Sequence, residues 1–214
     1  MEKLKLLPRD HYHSIDDFDP LRYYFWPVLG GMYRKRVEFC LHECKPGPRV
    51  LDVGFGAGVT FMNLHDKYEE IYGVDLTADL ARVGKVFQDH AIPVNLSNGN
   101  VLDMEYPDAF FDTVLLISIL EHLKPDQQIK AFMEIHRVLK PGGQIIYGVP
   151  IEGGLTNVVF WLLRANIREH HFSTPNDVAE AARQVFGGGR TIQMKSFLPF
   201  LGPVYEIGNF QKSR

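Results

Sequence analysis

The sequence predicts an α/β fold in which helices cover both faces of a doubly wound, mostly parallel sheet. Three observations carry this. Val50, Leu51 and Val53 form a short apolar run with β-branched members, the pattern of a strand buried on both faces. Gly54, Gly56 and Gly58 then make a turn without side chains, and Thr60 to Tyr68 has helical spacing. The same alternation recurs downstream, with apolar runs at Ile71–Asp75, Val94–Leu96, Thr113–Ile117 and Gln144–Val149 separated by helix-like or turn-rich segments. In such a sheet ligands collect at the carboxyl ends of the strands, so the glycine turn predicts a pocket for a nucleoside-bearing cofactor.

With 214 residues, 45% of them hydrophobic, the chain can bury one substantial core. The net charge of -3, with both signs spread along the chain, gives no electrostatic footprint for DNA or RNA. Cys40 and Cys44 lie four apart in a helical pattern with no second pair at zinc-finger spacing, and read as reduced thiols. The start, MEKLKLLPRD, lacks the apolar run of a signal peptide, and Thr113–Leu120 is too short to span a bilayer. A soluble, cytoplasmic protein is expected, with peripheral membrane contact left open and the oligomeric state unread.

Two parts are expected: an aromatic flap and amphipathic helix over residues 1–44, and a core over residues 45–214 carrying an insert at about 151–174. Residues 1–31 are rich in aromatics (His11, Tyr12, His13, Phe18, Tyr23, Tyr24, Phe25, Trp26), which either fold over a ligand or cap one end of the core. From Met32 to Cys44 an apolar stripe of Tyr33, Val37, Cys40, Leu41 and Cys44 opposes Arg34, Lys35, Arg36, Glu38 and Glu43. Asp75 ends the second strand seventeen residues after Gly58, where this fold places an acceptor for two ribose hydroxyls. Leu76 lies against an adenine face or simply packs. Thr77 reads as the cap of a helix with Leu80, Val83 and Phe87 on its buried stripe. Pro125 opens a helix with Ile129, Phe132, Met133 and Leu139 on its apolar face, which Lys140-Pro141-Gly142-Gly143 stops.

The glycine spacing narrows the cofactor. Gly58-Val59-Thr60 lacks the lysine of a phosphate-cradling loop, and Gly56 and Gly58 are one residue closer than the dinucleotide fingerprint requires. The stretch Asp52 to Gly58 resembles the first motif of the class I S-adenosylmethionine-dependent methyltransferases: a hydrophobic strand, an acid, then glycines at alternate positions. Residues 99–112 are similar to the stretch that, in methyltransferases acting on quinones and other small molecules, begins Gly-Asp-Ala and ends Phe-Asp. Asn100 stands where that family has the aspartate accepting from the adenine amino group; an amide oxygen can still accept. The run HRVLKPGGQIIYGVP resembles a further family signature of structural role.

The resemblance implies a Rossmann-like sheet of seven strands with a reversed final strand, and S-adenosyl-L-methionine as cofactor. It implies cofactor contacts from Asp52, Gly54, Phe55, Gly56, Gly58, Asp75, Leu76, Asn100, Val101, Ile117 and Ser118, with Val101 donating through its backbone amide. Some quinone-precursor methyltransferases have a metal-holding glutamate where this chain has Ser118, so no metal is expected.

Catalytic candidates are histidines, by their titration range. His122 follows the fourth strand and serves either catalysis or a structural hydrogen bond. His170 and His171 follow an apolar helical run, Val158–Leu163, in the insert where this superfamily builds its acceptor pocket. Arg164 and Arg168 either pair with an acidic acceptor or solvate one side of a helix. Thr174-Pro175-Asn176-Asp177 has capping-box form, and Thr191–Phe197 and Val204–Phe210 read as the last two strands. The expected function is methyl transfer from S-adenosylmethionine to a small-molecule acceptor with an apolar or lipid-like part. The alternatives are a non-catalytic S-adenosylmethionine-binding module acting through partners, and an NAD-dependent oxidoreductase.

Overall fold

The computed structural model describes residues 1–13, 21–27, 30–151, 172–195 and 202–214. A seven-stranded sheet runs in the order β3-β2-β1-β4-β5-β7-β6. Its strands are β1 (Gly47–Val53), β2 (Tyr68–Asp75), β3 (Val94–Asn98), β4 (Phe111–Ile117), β5 (Leu139–Pro150), β6 (Gly189–Lys195) and β7 (Pro203–Gln211). The first five pair in parallel, while β7 pairs antiparallel with both β5 and β6. This is the doubly wound α/β sheet with a reversed final strand that the sequence predicts. The helices are α1 (Leu21–Tyr24), α2 (Gly30–Glu43), α3 (Phe61–His65), α4 (Leu80–Asp89), α5 (Pro125–Val138) and α6 (Pro175–Phe186).

The alternating faces of the strands divide the core in two. Val50, Leu115, Ile146 and Ile207 face a cluster that includes Val37, Leu41, Phe61 and Phe87 from α2, α3 and α4. Leu51, Val114, Leu116 and Tyr147 face Phe132 and Ile135 of α5 and Val178 and Ala182 of α6. Leu4, Leu7, Tyr12, Leu21 and Tyr24 belong to the first cluster, so the described N-terminal residues pack into the core rather than stand beside it. Backbone bonds fix the first of them: Leu4 N–H donates to Glu38 Oε1 at 3.0 Å, Lys5 N–H to Asn63 Oδ1 at 2.8 Å, and Lys3 O accepts from Asn63 Nδ2 at 3.0 Å.

Several local expectations are corrected. The helix after the glycine turn is short, because Tyr68 is drawn into β2, pairs with Gly47 and donates its hydroxyl to Thr113 Oγ1 at 2.9 Å. The cap of α4 is Asp79, which accepts from Arg82 N–H at 3.0 Å; the Thr77 amide instead donates to Asp75. On α5 the buried face is Gln128, Ala131, Phe132, Ile135 and Val138, whereas Met133 is exposed and Leu139 already begins β5. Gln128 is tolerated in the core because its amide donates to Leu120 O at 3.0 Å. Residues 140–143 do not separate helix from strand but bulge within β5, between the pairs Phe111–Leu139 and Thr113–Gln144. The capping box of α6 is present as expected, with Thr174 and Asp177 bonded reciprocally.

Candidate active site

The turn between β1 and α3 lies at the carboxyl end of β1, which pairs with β2 on one side and β4 on the other. Gly54, Gly56 and Gly58 have φ of 70°, 58° and 76°, a region side chains avoid. A Cβ on Gly54 would collide with Ile119 Cδ1, and one on Gly58 would stand 2.6 Å from Phe87 and 2.7 Å from Phe61. These glycines let the chain bend where two other elements already press against it.

Acids sit on either side of this turn. Asp52 is buried beneath it and accepts from the Thr60 hydroxyl at the start of α3; burial, with a contribution from the charge of Asp75, pushes its carboxyl up to about 7. Asp75 ends β2 and reaches across to the turn: its Oδ2 accepts from Gly56 N–H at 3.0 Å and its Oδ1 from the Thr77 and Ala78 amides at 2.9 and 3.0 Å. Leu76 beside it is 69% exposed. Asn100 is also exposed, its Oδ1 accepting from Leu102 N–H at 3.0 Å, and Val101 is buried in the second core cluster. The Phe55 ring turns inward, its centre 5.6 Å from that of Phe61 and its edge over Gly73, so only its backbone faces the turn.

At the end of β4, Ser118 has φ of 58° although it is not glycine, and its amide donates to Gly148 O at 2.8 Å. Ile117 and Ser118 are half-buried, and His122 is exposed in a short 3-10 turn, Leu120–His122. His170, His171, Arg164, Arg168 and the run 155–163 lie outside the described residues. Among the described residues no group of three or more His, Cys, Asp or Glu could hold a metal ion, and no helix is long and apolar enough to cross a membrane.

The structure adds residues that the sequence pattern did not single out. Arg36 lies not on the solvent face of α2 but on the side of Tyr33 and Cys40, three residues before it and four after. Its guanidinium carbon is 4.2 Å from the centre of the Tyr33 ring and 5.9 Å from that of Tyr205, and Nη1 is 3.5 Å from Ser118 Oγ. Its Nε is shut off from solvent without a partner among the described residues. Ser118 Oγ is also 2.9 Å from the Tyr205 hydroxyl. Glu121 is buried nearby, which pushes its carboxyl up to about 8, and its Oε2 has no partner among the described residues. A cation interrupting an apolar helical stripe is the signal that would have found Arg36. The cradle thus offers side-chain-free backbone, a carboxylate at the neighbouring strand and a shielded cation, a set that fits a nucleoside bearing an amino-acid tail.

Residues 51–147 match the family described as "Methyltransferase domain". A ubiquinone/menaquinone biosynthesis C-methyltransferase of Vibrio campbellii is 30% identical over 146 residues, covering 61% of this chain and 54% of that protein. The ajmaline N-methyltransferase of Rauvolfia serpentina is 34% identical over 108 residues, 49% of this chain and 36% of its own. The chain thus spans about half or less of the length of these curated relatives. The fold is shared with the N-methyltransferase NodS of Bradyrhizobium japonicum, solved with S-adenosylhomocysteine, at a TM-score of 0.70, 14% identity and coverage of 94% of this chain and 95% of that one. The family match over residues 51–147 and the strand order together make this chain similar to the methyltransferase domains in sequence and in fold.

Proposed function

We propose that this chain transfers a methyl group from S-adenosylmethionine to a small-molecule acceptor with an apolar part. The observation that carries the reading is the Asp75 carboxylate, held at 3.0 Å from the Gly56 amide across the mouth of the glycine turn. A carboxylate has about four acceptor directions. Three are used by the Gly56, Thr77 and Ala78 amides, and the remaining one, with any that the ligand displaces, serves the ribose hydroxyls.

The other roles follow from position. Gly54 and Gly56 let the backbone approach the ligand, while Asp52 braces the turn through Thr60. Arg36 meets the carboxylate of the donor's amino-acid tail, its planar fork suited to that partner. Asn100 and the Val101 amide read the adenine edge, Leu76 lies against its face, and Ile117 and Ser118 border the reacting centre. When bound, the donor supplies an electrophilic methyl on a sulfonium. What remains for the protein is orientation, for which holding the two reactants in line contributes roughly 7 to 11 kcal/mol. Where the acceptor is a hydroxyl, a general base adds about two to four powers of ten; His122, after β4, and His170 and His171 of the sequence are the proposed candidates. The apolar character of the acceptor is inferred from the run Val158–Leu163 and the N-terminal aromatics. Two free, buried cysteines accord with a reducing, cytoplasmic setting.

The test is incubation of the purified protein with methyl-labelled donor and a small-molecule extract of its own cell. Label entering an organic-soluble product supports the reading. Label confined to water-soluble products overturns the apolar acceptor, and no transfer despite donor binding returns the non-catalytic binding module.

A further inference from the structure

Asn100 and Val101 sit on a segment with little regular structure, residues 99–110, and something must hold it still for an adenine ring to be read. The turn itself is closed locally: Asp103 N–H donates to Asn100 O at 3.0 Å and Leu102 N–H to Asn100 Oδ1 at 3.0 Å. The next residue is gripped from outside. Met104 N–H donates to Glu134 Oε1 at 2.8 Å, and Met104 O accepts from Arg137 Nη2 at 2.9 Å, so both polar groups of one buried residue end on the last turns of α5.

Arg137 directs the rest of its fork at the same segment. Nη1 donates to Tyr106 O at 2.8 Å and to Asp108 Oδ1 at 2.6 Å, while Nε and Nη2 donate to the two oxygens of Glu134 at 2.9 and 2.6 Å. The amides of Ala109 and Phe110 donate to the carbonyls of Arg137 and Val138 at 3.0 and 2.8 Å, sealing the far end. Arg137 is one-third exposed and Glu134 only 15%, so this pair is partly withdrawn from water and each partner depends on the other. The pairing with Arg137 holds the Glu134 carboxyl below its ordinary range. Five donors in one plane match two carbonyls and two carboxylates; a lysine would offer no such fork.

We infer that Glu134 and Arg137 are positioning residues for the adenine half of the cofactor: they fix Met104 and Tyr106 and thereby the Asn100–Val101 turn. This rests on the donor assignment proposed above. It also gives a specific task to part of the HRVLKPGG signature, which its sequence character alone marks as structural.

The experiment is calorimetric titration of the wild type and of Arg137→Met and Arg137→Lys with S-adenosylhomocysteine and with S-ribosylhomocysteine, which lacks adenine. Both variants should lose about tenfold or more in affinity for the adenine-bearing ligand, while S-ribosylhomocysteine binds all three proteins within about twofold. Failure of Arg137→Lys to restore binding is part of the expectation, since charge without the fork does not suffice. Hydrogen exchange at Val101, Leu102 and Met104 should rise in the variants. Equal loss of both ligands, or no loss of either, overturns the inference alone. A wild type that binds neither ligand overturns the donor assignment and this role with it.

Discussion

Ile119 Cδ1 occupies the space that a side chain on Gly54 would need, so that a Cβ built there would collide with it. The exit of β4 therefore leans directly on the turn that follows β1, and the carboxyl ends of these two strands are in steric register.

Gly54→Ala should destabilise the fold by about 2 to 4 kcal/mol, since overpacking and a positive φ act together. Trimming the neighbour in a Gly54→Ala/Ile119→Ala pair should recover part of the packing loss but not the backbone strain. Urea denaturation of the two single variants and the pair measures the coupling; strict additivity would contradict the contact.

Gly84, in the middle of α4, has nothing within 4 Å of where a Cβ would sit. Gly84→Ala should raise stability by about 0.5 to 1 kcal/mol through helix propensity alone. Thermal unfolding at a single pH decides it, and destabilisation would show that α4 is not a regular helix at that point.

Tyr147 stacks on Phe210 at 6.1 Å with its hydroxyl buried and without a partner among the described residues. Removing an unsatisfied hydroxyl relieves a desolvation cost of about 1 to 3 kcal/mol. Tyr147→Phe should therefore be neutral to stabilising in chemical denaturation, and a loss of more than about 1 kcal/mol would reveal a hydrogen bond to a residue outside the described ones.

Burial holds the Glu121 carboxyl at about 8, against 4.5 for the ordinary group. The native state thus binds a proton that the unfolded chain has released, so stability falls as pH rises from about 4.5 to about 8 and levels off above. Asp52, pushed up to about 7, adds a slope of the same sign over the lower part of that window. Glu121→Gln should flatten the profile between pH 5 and pH 9 by an amount on the order of a few kcal/mol. Denaturation curves for wild type and variant that stay parallel across this range would contradict a buried, protonated Glu121.

What could be read from the sequence was what neighbouring residues decide. The glycines, Asp52 and Asp75 stand at fixed spacings along one strand-turn-helix-strand unit, and the sheet follows from runs whose apolar character is continuous. Arg36, Glu121 and Tyr205 escaped because α2, the end of β4 and β7 meet only through the strand order, and because a cation is expected to seek water. The phase of α5 was missed for a related reason: Gln128 is polar yet buried, since its amide answers the Leu120 carbonyl, so the true stripe looked interrupted and Met133 looked central. Thr77 and Asp79 both suit a helix cap, and the choice fell to Asp79 because Asp75 takes the Thr77 amide.

The most direct measurement is calorimetric titration of S-adenosylhomocysteine into the wild type and into Asp75→Ala. Micromolar binding by the wild type, weakened about a hundredfold or more by the substitution while the variant stays folded, is the expected result. Binding of equal strength in both, or none by the wild type at millimolar ligand, would contradict the assignment of the Asp75–Gly56 crevice as the seat of the methyl donor.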